Sequence, residues 1–177
     1  GDGIWINSSD TKFNRVLGNF IGTDVTGTLD LGNTVSGVII QSGAQSNLIG
    51  DGTTGGRNII AGNDYCGILI GGADTKSNEL LGNYIGLNAA GNTALGNREQ
   101  GIQISNSAQY NKVGDGTAGG RNVISGNNIG IYIGLTDASS NEVLGNYIGT
   151  DATGIVALGN HGYGIEIHSG ARYNLIG

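Results

Sequence analysis

The sequence predicts an all-β fold, a right-handed parallel β-helix (solenoid) with three short strands per coil and about five and a half coils. Three observations carry that expectation. Residues 78–86 (NELLGNYIG) recur nearly verbatim 64 residues earlier, at 14–22 (NRVLGNFIG), and 63 residues later, at 141–149 (NEVLGNYIG). Each period splits into two halves, marked by a Gly-apolar-x-apolar phrase beginning near residues 3, 37, 67, 101, 130 and 164. Glycine makes up 36 of 177 residues, with no proline or methionine. The remainder is rich in Asn, Ser, Thr and β-branched apolars, which suit turns and short strands.

In the Gly phrase the outer positions are always Ile or Val, while the middle one varies: Trp5, Ile39, Leu69, Gln103, Tyr132 and Glu166. Such alternation places two residues on a core and one outside it. About ten residues on comes Asn-x-apolar, at Asn14, Asn47, Asn78, Asn111, Asn141 and Asn174. A third strand begins at Asn19, Asn58, Asn83, Asn122 and Asn146, and a last column holds Asn33, Asn63, Asn97, Asn127 and Asn160. Strands this short form no stable sheet alone, so like strands must stack coil on coil at about 4.8 Å, giving a rod of roughly 25 Å. The crossover rule for parallel strands sets the right-handed coil. Asn tolerates the left-handed turn conformation, and stacked Asn side chains can hydrogen-bond along the axis. The whole chain, 1–177, reads as one repeat domain, a segment of a longer protein.

Two loop types alternate. Even coils carry 51–57 (DGTTGGR), repeated at 115–121, and odd coils carry 22–32, with relatives at 86–96 and 149–159. Asp51 with Arg57, and Asp115 with Arg121, are expected to close their loops as ion pairs.

Composition narrows the partners. A net charge of −6 with only eight Lys and Arg argues against nucleic acid. No apolar run is long enough for membrane insertion. The single cysteine, Cys66, is expected to be a small structural residue.

The phrases at 21–28 (IGTDVTGT), 148–154 (IGTDATG) and 56–63 (GRNIIAGN) resemble right-handed parallel β-helix repeat proteins of bacterial extracellular and cell-surface polypeptides, in the pectate-lyase-like superfamily. The resemblance implies an extracellular or cell-surface location. It leaves activity open, because that coil serves lyases, hydrolases, tailspikes, adhesins and passive repeats alike.

Lyases and hydrolases of the fold gather acidic residues on one face. Here only Glu166 is acidic among the outward residues of the first strand. The outward residues of the second strand, Arg15, Leu48, Glu79, Lys112, Glu142 and Leu175, read as cross-strand solubility pairs. No catalytic, cofactor or metal residues are assigned. Asp10, Asp74 and Asp137, and Asp24, Asn88 and Asp151, recur in equivalent turns; weak calcium binding is one reading and hydrogen bonding within the turn the favoured one. His161 and His168 flank Glu166 but recur nowhere else and read as surface residues. Phe20, Tyr84 and Tyr147, with Ile59 and Val123 between them, make a stripe expected beneath the long-loop residues Leu31, Leu95 and Leu158. The alternative is a contact surface, including Trp5 and Tyr132, for another chain or for polysaccharide.

The chain begins and ends on a core strand without an amphipathic cap, so end-to-end self-association or flanking domains are expected to cover its strand edges. The leading functional expectation is a structural or interaction module: a rigid spacer, adhesive stalk or self-assembling filament subunit. Carbohydrate binding, or a polysaccharide lyase or hydrolase segment, is the alternative.

Overall fold

The computed structural model describes residues 1–177 as seventeen strands with no helix. The first coil contains β1 (Ile4–Asn7), β2 (Arg15–Val16) and β3 (Phe20–Ile21). The second contains β4 (Val38–Gln41), β5 (Leu48–Ile49) and β6 (Ile59–Ile60), and the third β7 (Ile68–Gly71), β8 (Glu79–Leu80) and β9 (Tyr84–Ile85). Next come β10 (Gln100–Ser105), β11 (Lys112–Val113) and β12 (Val123–Ile124), then β13 (Ile129–Gly134), β14 (Glu142–Val143) and β15 (Tyr147–Ile148). A last coil supplies β16 (Ile165–Ile167) and β17 (Leu175–Ile176).

Like strands pair in parallel, each coil with the next, into sheets of six, six and five strands. The register never slips: Ile6 faces Ile40, Ile40 faces Ile70, and Ile70 faces Ile104. Every coil therefore delivers the same inward positions to the same column. Twenty-one buried residues join into one continuous core, every one of them Ile, Val, Leu or Ala. This is a parallel β-solenoid.

Asparagine ties the corners together. In the first ladder each Nδ2 donates to the next coil's Oδ1, from Asn14 through Asn47, Asn78, Asn111 and Asn141 to Asn174, at 2.9–3.1 Å. The same Oδ1 also accepts the backbone N–H of the preceding Asn, as Asn78 does from Asn47 at 3.0 Å. Two further ladders run from Asn19 to Asn146 and from Asn33 to Asn160. In the first ladder the left-handed conformation expected of Asn falls instead on the residue before it. Ser46, Ser77 and Ser140 have φ of 55–57° ahead of the first ladder. Gly22 (φ +85°) makes a comparable bend after β3, where an added Cβ would collide with the Ala61 carbonyl. No helix is long and apolar enough to cross a membrane.

Candidate interaction surfaces

The outward residues of the third sheet are not a free surface. Ile59, Tyr84 and Val123 form a second buried cluster with Leu87, and Ala89, Tyr147, Ala152 and Leu158 pack against it. Tyr84 is only 9% exposed. Of the covering leucines the sequence suggested, Leu158 packs against this cluster while Leu31 stands in solvent, and Leu87 at the start of its loop joins it fully buried. Arg57 lies 4.1 Å over the Tyr84 ring and Arg121 4.1 Å over Tyr147. Each guanidinium also donates from Nε to a carbonyl, Gly82 or Gly145. The arginines thus act as lids on aromatic rings, a cation–π arrangement. This corrects the ion pairs expected within the DGTxGGR loops. Asp51 instead meets Arg15 at 3.4 Å, and both Asp51 and Asp115 accept from the Thr two residues on. Phe20 in the first coil remains exposed.

The aspartates of the long loops are occupied by their own turns. Asp24 accepts from the Thr26 hydroxyl and from the backbone N–H groups of Thr26, Thr28 and Leu29. Asp151 is engaged by Thr153, Ile155 and Val156 in the same way. The Thr26 hydroxyl, followed by the Leu29 and Thr28 amides, holds the Asp24 carboxyl well below its usual range. Thr153 does the same for Asp151, Thr53 for Asp51 and Thr117 for Asp115. Asp74 lies 3.6 Å from Lys76, and Asp137 meets Arg172. No group of three or more His, Cys, Asp or Glu side chains is placed to hold a metal ion.

On the outer face of the first sheet, Trp5 is 63% exposed while Tyr132 is only 7% exposed. The Tyr132 ring meets His168 edge-on at 5.1 Å, and His168 Nε2 lies 3.4 Å from Glu166. His161 sits apart from that pair in its contacts, with Nδ1 3.2 Å from the Asn127 carbonyl and a shallow polar cleft shared with Arg98. Cys66 is buried, its thiol directed at Gln100 and Gln103, and burial pushes it up to about 12. Of the five aromatics proposed as contacts, Trp5 and Phe20 are therefore open, Tyr147 is half-buried, and Tyr84 and Tyr132 are enclosed.

The second sheet presents Arg15, Leu48, Glu79, Lys112, Glu142 and Leu175 in register. Lys112 reaches Glu142 at 3.8 Å, as a cross-strand pair. A surface hollow of about 330 Å³ is lined by Ser77, Glu79, Tyr110, Lys112, Ser140 and Glu142. Beside this face runs the corner column ahead of the Asn ladder: Phe13, Ser46, Ser77, Tyr110, Ser140 and Tyr173, all left-handed. Sequence reasoning passed over its aromatic members. The signal lay in the residue immediately before each first-ladder Asn, where serine and aromatics share one position.

No family model, curated protein or solved structure matches this chain.

Proposed function

We propose that this chain is a structural and interaction module, a rigid spacer, stalk or filament segment of an extracellular bacterial surface protein built on the right-handed, pectate-lyase-like coil. The observation that carries this reading is axial continuity. Each coil pairs with the next in the same register through all three sheets. The first Asn ladder runs without a break from Asn14 to Asn174. A further coil docked at either end, from the same polypeptide or another copy, extends the sheets and the ladder with the interactions every internal coil already makes. The aspartates of the recurring loops, meanwhile, are occupied by hydrogen bonds within their own turns.

Light scattering across a concentration series tests the self-assembling form. Mass growing beyond two copies with concentration supports it; a strict monomer rules that form out and leaves the spacer. A second reading, binding of polysaccharide, rests on the exposed indole of Trp5, since sugar rings stack on aromatic faces. A glycan array scored for loss of binding in Trp5→Ala tests it. Absorbance from unsaturated sugars, or new reducing ends, would extend it to lyase or hydrolase activity.

A further inference from the structure

We propose that the outer face of the second sheet is a self-docking surface, on which a second copy of this chain packs side by side and antiparallel. The two-fold axis passes between the third and fourth coils. This contact is lateral, so it is independent of the axial contacts proposed above.

The corner column is the first observation. Phe13, Tyr110 and Tyr173 adopt φ of 54–60°, the left-handed region that bulky residues avoid. They are nevertheless 78%, 57% and 83% exposed. Serine fills the same place at residues 46, 77 and 140, so the turn itself has no need of a ring. Antiparallel packing sets each coil against its mirror in the count. Phe13 then meets Tyr173 of the second copy, Ser46 meets Ser140, and Tyr110 meets Ser77. Ring faces ring at the two ends, and near the axis each Tyr110 faces a small residue. The hollow lined by Ser77, Glu79, Tyr110, Lys112, Ser140 and Glu142 borders that contact.

Charge is the second observation, and it selects the direction. Glu79 has no ion-pair partner in its own chain, although Lys112 is its register neighbour. Antiparallel packing sets Glu79 against Lys112 of the second copy, twice, on either side of the axis. Parallel packing would set Glu79 against Glu79 and Lys112 against Lys112, which repel. The outer positions are less matched: Arg15 meets Leu175, and Leu48 meets Glu142, where only side-chain stems can pack. The strip is about 24 Å long, five steps of the coil spacing. A strip of that length is narrow beside a standard interface of about 1,200–2,000 Å², so weak self-association is expected. An isologous contact of this kind closes at two copies.

Sedimentation equilibrium on the 177-residue chain up to about millimolar concentration tests the proposal, with Glu79→Lys, Lys112→Glu and Tyr110→Ser alongside. Each charge reversal should weaken association at least about tenfold, because it sets like charges together twice. Mixing Glu79→Lys with Lys112→Glu should restore it, because both central contacts then join opposite charges. Each variant keeps its own in-chain neighbours in that mixture, so recovery can come only from contact between chains. Circular dichroism checks that each variant folds. A wild-type monomer across the whole range would overturn the proposal, as would reversals that associate like wild type or a mixture that fails to recover. Association that persists in both reversals, with growth beyond two copies, would place the contact at the rod ends instead.

Discussion

At the residue scale, the fold depends on side chains that each serve two coils. Asn78 is fully buried, receives two donors from Asn47 and donates to Asn111 and the Ala44 carbonyl. Replacing it with alanine strands several buried polar groups, and the loss of stability should be roughly 3 kcal/mol by urea unfolding. Asn14→Ala, at an exposed end of the same ladder, should cost less than about 1 kcal/mol. The turn aspartates make a pH prediction. Their carboxyls titrate below the ordinary 3.8 in the folded chain, so their contribution is complete above that value and fades as pH falls below it. The melting temperature should hold steady near neutrality and drop in strong acid, and an Asp24→Asn, Asp151→Asn double variant should show a shallower drop. The Asn columns were legible because their spacing repeats. The left-handed residue ahead of each first-ladder Asn was not, since Ser, Phe and Tyr all fill that place and share no common side-chain chemistry.

At the scale of the elements, two-residue strands persist because the same strand lies above and below, and because loops close over one outer face. Leu87 is the clearest test of that second layer. Leu87→Ala should cost about 2–5 kcal/mol, as for a core leucine, although it lies in a loop. Far-UV spectra should change little, since the three sheets remain intact. Cys66 should resist thiol reagents in the native chain and react once it is unfolded, because the thiolate form is suppressed and the sulfur enclosed. Alternation within the Gly phrase was enough to find the first sheet. The recurring loop leucines pointed to cover over Tyr84, but not to the Arg57 lid, a contact that no local period encodes. Arg57 itself looked like a partner for Asp51 only because the two are close in sequence.

At the scale of the whole molecule, each coil touches only its neighbours, so stability adds along the axis and the end coils fray first. Hydrogen exchange should therefore be slowest in β7 and β10 and fastest in β1, β16 and β17, a gradient that peptide-resolved exchange would reveal. The two proposals use different parts of this rod: a further coil would continue it along its axis, and a second copy would pack on one side. The measurement that bears most directly on the account of an axially extendable rod is negative-stain electron microscopy of the purified chain across a concentration series. The account predicts short rods that join end to end into longer ones as concentration rises, with particle width held to one rod or a lateral pair. Discrete particles of unchanging length at every concentration would contradict self-assembly along the axis.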